Sequence, residues 1–195
     1  NQSYIDMKIV ELILDPTDKQ SGIEAISVVE TPAIEENFIA LNKHEVLLKE
    51  VDKEKRILMG AALVPNKQIY RRNEKTDEDY YIFFSEDTVR KASELYFQKS
   101  NHQNATLEHS EKLKGTTIVE SWIVENSKTD KSALYGMDLP KGTWMVSMKI
   151  EDDALYEKAK TGEVKGFSIE GYFADKYEMS QQKENTINKL KDLLK

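Results

Sequence analysis

Residues 57–64 have the sequence ILMGAALV, an unbroken apolar run that is followed by Pro65. A run of this length, bounded by a turn residue, is typical of a buried strand. Residues 115–124 (GTTIVESWIV) and 143–150 (TWMVSMKI) also have strand character, with several β-branched and aromatic side chains. These segments predict a domain that is built mainly on β-structure.

Further strands and a few helices are predicted around this centre. Strand character recurs at residues 7–14, 26–29, 69–71, 80–84 and 164–173. Ser85 and Asp152 are typical N-cap residues, and Gly162 is suited to end the helix that Asp152 begins. Because strands outnumber helices and many neighbouring strands are joined by short turns, we expect an α+β fold with a mainly antiparallel sheet or barrel and flanking helices.

Changes in composition predict boundaries within the chain. Residues 42–56 are rich in Lys and Glu, which indicates a linker or an exposed helix. Near the other end, Ile187, Leu190 and Leu194 recur on one face of an amphipathic helix. The predicted organisation is N-terminal strands and linker at residues 1–55, the main domain at residues 56–178 and a C-terminal helix at residues 179–195.

The composition excludes several classes of function. The 195 residues carry a formal net charge of -7, and an acidic domain repels nucleic-acid backbones. The chain contains no cysteine, which excludes disulfides, thiol catalysis and thiolate metal sites. No apolar run approaches the roughly 20 residues that cross a bilayer. Neither nucleic acids nor membranes are therefore expected as partners.

Three histidines, His44, His102 and His109, are the candidate proton acceptors. Histidine is the usual base for a serine nucleophile because its pKa lies near working pH. His44 lies in the polar linker and is expected to be solvated. The spacing of His102 and His109 with Glu108 matches neither the helical His-Glu-x-x-His zinc motif nor any cysteine-containing site. No metal or cofactor is expected.

Ser168 is the serine with the most informative surroundings, the segment GFSIEG at residues 166–171. In a strand, Phe167 and Ile169 would face one side while Ser168 and Glu170 face the other. The hydroxyl would then lie beside a carboxylate on an accessible face. A nucleophile elbow of the α/β-hydrolase type is excluded, because Glu170 replaces its second glycine and every histidine precedes Ser168. A core strand with polar outward positions stays open as the alternative.

Seven segments of the chain resemble, in the same order, segments of one known protein family. They are residues 22–40, 56–72, 80–89, 106–110 (TLEHS, with His109), 119–124 (VESWIV), 135–150 and 165–173 (KGFSIEGYF, with Ser168). Through them the chain resembles the XkdF-type phage serine proteases, which are related to the prohead proteases of tailed phages. The resemblance runs from about residue 22 to residue 173.

This resemblance implies a fold like that of the herpesvirus assemblins, a small β-barrel ringed by helices. It implies a serine endopeptidase that cleaves the phage scaffold and major capsid proteins inside the prohead, in the host bacterial cytoplasm, and then cleaves itself. His109 would be the general base and Ser168 the nucleophile of an acyl-enzyme mechanism. Because no histidine follows Ser168, unlike in the herpesvirus enzymes, a carboxylate would complete the triad, with Glu120 as first choice and Glu170 as second.

Two other functions stay open on the sequence alone. One is a catalytically inactive structural or scaffold component of the phage head, although the presence of both His109 and Ser168 argues against a decayed site. The other is an unrelated antiparallel β domain that binds a partner protein, for which replacing Ser168 would change nothing. Whether the chain forms a homo-oligomer is not decided by its sequence.

Overall fold

The computed structural model of the chain describes residues 7–33, 39–40 and 55–193. The strands in this part are β1 (Lys8–Ile13), β2 (Gly22–Val29), β3 (Ile39–Ala40), β4 (Ile57–Leu63), β5 (Ile69–Asn73), β6 (Glu78–Phe83), β7 (Ala105–Leu107), β8 (Glu111–Lys112), β9 (Thr116–Ile123), β10 (Trp144–Ile150), β11 (Gly166–Tyr172) and β12 (Ala174–Asp175). The helices are α1 (Glu86–Gln98), α2 (Lys131–Leu134), α3 (Asp153–Thr161) and α4 (Lys176–Leu193), with a short 3-10 helix at Asn101–Gln103.

The strands form three sheets of four strands each. The β2 sheet has the order β11-β2-β7-β8, the β10 sheet has the order β3-β4-β10-β9, and the β1 sheet has the order β12-β1-β6-β5. Among the described strand pairs, only β1–β6 and β2–β7 are parallel, so the predicted α+β class with mainly antiparallel sheets is confirmed. Over residues 7–33, 39–40 and 55–193 the three sheets stay open. The small barrel and the assemblin-like fold are therefore not confirmed.

The core lies where the apolar runs of the sequence predict it. In β4, every residue from Leu58 to Leu63 is buried, so side chains on both faces of the strand are covered by the core. Trp144, Met145 and Val146 of β10 are fully buried. A continuous apolar run is what a strand needs when neither of its faces meets water.

The predicted helix ends are confirmed. The Ser85 hydroxyl accepts a hydrogen bond from the Thr88 N–H at the start of α1. The Asp152 carboxylate accepts one from the Leu155 N–H, 2.7 Å away, at the start of α3. Gly162 ends α3 at a φ of 77°, in the left-handed region that glycine adopts without strain.

The N-terminal strands are hydrogen-bonded into the same sheets as the rest of the chain. β2 is a central strand between β11 and β7, and β1 is paired with β6 and β12. Ile26 and Val28 of β2 are fully buried. Residues 7–33 thus share their hydrogen bonds and core with the domain predicted at residues 56–178. Most of the predicted linker, with His44, lies outside the described residues.

The C-terminal helix begins earlier than its apolar pattern indicates. α4 starts at Lys176, where the ammonium group lies 2.7 Å from a carboxylate oxygen of Glu11. Further along α4, Ile187 and Leu190 are exposed to solvent. No helix within the described residues is both long enough and apolar enough to span a bilayer.

Gly171 lies where the backbone of β11 comes close to the backbone of β2. The register of this pair shifts between Glu170 and Gly171, which marks a β-bulge. A Cβ atom at Gly171 would lie 2.1 Å from the backbone oxygen of Gly22 and 2.8 Å from the Cα of Ile23. Only glycine fits against this backbone, so the second glycine of GFSIEG has a packing role.

We expect Gly171→Ala to lower the free energy of unfolding by more than about 3 kcal/mol, because backbone atoms of a central strand must move. Urea unfolding at neutral pH measures the loss. Gly136→Ala is the matched control: Gly136 has a φ of 77° but nothing within 4 Å of the added Cβ. That control is expected to cost only about 1 kcal/mol of left-handed strain. Equal losses in the two variants would contradict the close-approach explanation.

Candidate active site

Ser168 lies in a row of hydroxyl side chains that crosses the β2 sheet. In register, Ser168 of β11 is opposite Ser27 of β2, which is opposite Thr106 of β7. Residues paired in this way point to the same face of a sheet, and Glu170, two residues beyond Ser168, points there too. Phe167, on the other face, is fully buried. The structure therefore has Ser168 and Glu170 on one face, as the sequence predicts, but Ser168 is buried, with 7% of its surface exposed, where an accessible face was expected.

His109 reaches this face from the turn between β7 and β8. Its Nδ1 atom lies 2.9 Å from Oε1 of Glu170. The Thr106 hydroxyl donates a hydrogen bond of 2.7 Å to the same carboxylate oxygen. The imidazole is 44% exposed and the carboxylate 27% exposed, so the pair lies at the edge of solvent. A carboxylate that accepts from Nδ1–H leaves Nε2 as the nitrogen that can accept a proton.

The turn that carries His109 is held in an unusual backbone conformation. Glu108 and His109 have φ values of 48° and 56°, both in the left-handed region that few residues other than glycine adopt. The N–H of Glu108 donates to the Val28 carbonyl, and the N–H of His109 donates to the Ser27 hydroxyl at 3.0 Å. The Glu108 carboxylate accepts a hydrogen bond from the Glu30 N–H. Every one of these contacts is made with β2 or the residue that follows it.

The two serines of the row differ in what their hydroxyls can do. Ser27 is fully buried, and its Oγ accepts from His109 N–H and lies 3.4 Å from the Thr106 carbonyl. The Ser168 hydroxyl makes no hydrogen bond to another described residue, including His109. Nucleophile–base hydrogen bonds are often long or misaligned before substrate binds. Ser168, with its hydroxyl uncommitted, is the better candidate nucleophile.

Among the described strands, β11 is an outer strand of its sheet, and its edge away from β2, called the free edge here, is paired with no described strand. The N–H of Ile26 and the C=O of Val28 are bonded toward β7, so the main chain of Ser27 between them faces β11. Bonded and non-bonded pairs alternate along an antiparallel ladder. The main-chain groups of Ser168 therefore face β2, while the N–H and C=O of Ile169 point to the free edge.

A cleft of about 1170 Å³ runs beside this edge. It is lined by apolar side chains of β1, β5 and β6, among them Val10, Ile69 and Ile82, and by charged side chains. Ser168 and Ile169 line it on the β11 side, whereas His109 and Glu170 are not among its lining residues. Ser168 is thus the residue of the candidate site that borders the cleft, where it is accessible to a bound segment.

Glu120, the first choice for the third catalytic residue, lies on β9 in the β10 sheet. Its carboxylate accepts hydrogen bonds from the Lys131 ammonium group and from the buried Ser147 hydroxyl, both at 2.6 Å. The hydrogen bond from Lys131, followed by that from Ser147, holds the pKa of Glu120 below its ordinary value. The structure thus gives Glu120 a structural ion pair, and it brings Glu170, the second choice, to His109.

His102 and Asp152 have other contacts in the structure. His102 stacks on Phe97 with ring centroids 6.3 Å apart. Asp152 caps α3. Over the residues that the structure describes, no group of three or more His, Asp or Glu side chains is arranged to hold a metal ion.

Sequence reasoning missed Ser27 and Thr106. A signal for Ser27 is present in GIEAISVV (residues 22–29), where one small polar residue interrupts an apolar strand. Thr106 lies in the TLEHS segment three residues before His109. Nothing in the sequence, however, indicates that these two residues and Ser168 are in register.

Comparison with known proteins identifies a family. The family model described as "Putative phage serine protease XkdF" matches residues 43–178, more than half of the chain. No curated protein sequence and no solved structure matches the chain. The matched range includes His109, Ser168 and both candidate carboxylates, and it begins after β2.

The Glu120–Lys131 ion pair predicts a pH-dependent contribution to stability. Because the pKa of Glu120 in the folded chain is below its ordinary value of 4.5, its ionised form stabilises the fold above pH 4.5. That contribution is lost as the pH falls below 4.5 through the lowered pKa. Glu120→Gln should therefore lower the free energy of unfolding at pH 7 by less than about 1 kcal/mol, since the carboxylate is 45% exposed.

Urea unfolding of wild type and Glu120→Gln at several pH values measures this contribution. The two curves are expected to converge at acidic pH. A double-mutant cycle with Lys131→Met isolates the pair. A difference that stays constant down to pH 3 would contradict the assignment of Glu120 to an ion pair.

Proposed function

We propose that this chain, which belongs to the XkdF family of phage serine proteases, is an endopeptidase in which Ser168 is the nucleophile, His109 the general base and Glu170 the residue that orients the base. The observation that carries the proposal is the chain of contacts from Thr106 to Glu170 to His109 on the face that also bears Ser168. A nucleophile, a base and a group that orients the base are the three parts that an activated serine requires.

The proposed reaction begins with proton transfer from the Ser168 hydroxyl to Nε2 of His109. Oγ attacks the scissile carbonyl carbon, and the carbonyl oxygen takes the negative charge of the tetrahedral intermediate. The intermediate collapses as His109 gives its proton to the leaving amine, and an ester to Ser168 remains. Water, deprotonated by His109, then hydrolyses the ester and restores the serine. Glu170 accepts from Nδ1–H throughout and stabilises the positive imidazolium.

Backbone N–H groups at the free edge of β11 are suited to stabilise the oxyanion. The N–H of Ile169, directly after the nucleophile, points to that edge and needs no rearrangement to donate. Fixed donors of this kind contribute more to catalysis than mobile ones, because they require no reorganisation as charge develops. A carbonyl that approaches Ser168 from the cleft would meet this N–H group.

The proposed substrates are the scaffold and major capsid proteins of the phage, cleaved within the prohead in the bacterial cytoplasm, with autocleavage at the end. The support is the family to which the chain belongs and the size and openness of the cleft beside Ser168, which suits an extended peptide segment. The experiment that tests these substrates also measures whether the protease self-associates.

Co-expression with the phage's own scaffold and major capsid protein tests this function. We expect cleaved scaffold and capsid products with wild type and none with Ser168→Ala, because the mutant lacks the attacking oxygen. Intact mass spectrometry identifies the products and the cleavage sequence, and native mass spectrometry of the same samples reports the oligomeric state.

Ser110→Ala is the control variant, because Ser110 is next to His109 in the chain but has no role in the proposed mechanism. This variant should cleave the substrates at the wild-type rate. Identical uncleaved masses for wild type and Ser168→Ala, in cells where heads assemble, would overturn the protease. That outcome would favour a catalytically inactive structural component of the head.

A second prediction separates the two candidate carboxylates. Glu170→Gln should reduce the rate of cleavage by about 10²–10⁴-fold, because the amide can present its N–H to His109 and reverse the tautomer. Glu120→Gln removes a carboxylate of the same chemistry from the ion pair with Lys131 and should change the rate less than about twofold. Rates from time courses with purified scaffold protein decide between them. A larger loss in Glu120→Gln than in Glu170→Gln would reverse the assignment.

A further inference from the structure

The buried hydroxyl of Ser27 is the contact through which β2 holds the backbone of His109. Its Oγ accepts the His109 N–H at 3.0 Å. The side chain has no exposed surface, so water cannot replace that contact if the hydroxyl is removed. Ser27 is 82 residues away from His109 in the chain, and the pairing of β2 with β7 brings the two together.

The conformation of His109 needs such a contact. Two consecutive non-glycine residues in the left-handed region cost about 1–2 kcal/mol each. Strain of this kind persists only where neighbouring contacts hold the backbone in place. For His109 itself, the hydrogen bond that holds the main chain is the one to Ser27.

From these contacts we infer that Ser27 is a positioning residue of the active site, which fixes the left-handed turn at His109 so that the imidazole meets Glu170. This inference rests on the proposed function for its effect on catalysis. It also means that the segment before the matched residues 43–178 completes the site.

The alternative role for a serine in this row, that of nucleophile, does not suit Ser27. Its oxygen is fully buried and accepts an N–H, and the cleft is lined by Ser168 and not by Ser27. Ser27 therefore acts through His109 rather than on the substrate. Its loss should change the placement of the imidazole and leave the attacking oxygen in position.

The test compares Ser27→Ala with Ser21→Ala in the full chain. Ser21 is a matched control, because it is also a buried serine whose Oγ accepts a backbone N–H, from Asp15 at 2.8 Å, but it has no contact with His109. The first readout is the rate at which a fluorophosphonate probe labels Ser168. Intact mass spectrometry measures this rate at several pH values. In that reaction the Ser168 oxygen displaces fluoride from phosphorus and His109 takes the proton.

The second readout does not depend on reactivity. The chain has three histidines, so ¹⁵N-histidine labelling gives an NMR spectrum in which the ring nitrogens of His109 can be assigned. Contact of Nδ1 with Glu170 should give a defined tautomer in wild type. Loss of the turn would shift the His109 ring signals and speed the hydrogen exchange of its amide, while the His102 ring keeps its signals.

We expect Ser27→Ala to slow probe labelling by about tenfold and to shift the His109 ring signals, since small displacements of a catalytic group have effects of this size or larger. Ser21→Ala should keep the wild-type labelling rate and the wild-type His109 signals. Wild-type labelling and unchanged His109 signals in Ser27→Ala would overturn the inference. If the probe labels wild type at no pH, the proposed function fails. The NMR spectra then test the positioning role by themselves: shifted His109 signals in Ser27→Ala support it, and unchanged signals overturn it.

Discussion

The pairing of β2 with β11 is the constraint on which the site depends. It sets Ser168 opposite Ser27, and it requires glycine at position 171 because the backbone of Gly22 lies where a Cβ would be. β2 then pairs with β7 on its other side and brings the His109 turn to the same face. The proposed nucleophile and carboxylate therefore lie on β11 and the proposed base lies in the turn after β7, while β2, the strand between them, contributes none of the three.

This arrangement joins distant parts of the chain, and it has an energetic consequence. Ser27 and Ser168 are paired although most of the chain lies between them. Bringing the two ends of so long a segment together costs conformational entropy, which favourable contacts must offset. The compensation comes from buried apolar residues such as Ile26, Val28 and Phe167, on the face opposite the site. The same strands thus supply the core with one face and the chemistry with the other, so the strain at Glu108 and His109 is held by a well-packed sheet.

How much the sequence predicts follows from the range of the interactions involved. Strand β4, the caps Ser85 and Asp152 and the C-cap Gly162 were predictable, because each depends on local periodicity or on one side-chain contact. The order of strands in the three sheets was not, since it depends on pairings between remote segments. For the same reason the sequence ranked Glu120 above Glu170. Both carboxylates lie in strands, and only the sheet to which each strand belongs puts one beside Lys131 and the other beside His109.

The position of Ser168 on an outer strand connects this architecture with peptide cleavage. A nucleophile on a central strand would have hydrogen-bonded neighbours on both sides, and a substrate backbone could approach it only from above the sheet. On β11, one edge of the strand is hydrogen-bonded to β2, while the main chain of Ile169 faces the free edge. An exposed strand edge ordinarily favours unwanted association, and proteins keep one where a peptide has to pair with it. In the proposed mechanism, the free edge beside Ser168 is the place where a substrate backbone would be held while its carbonyl is attacked.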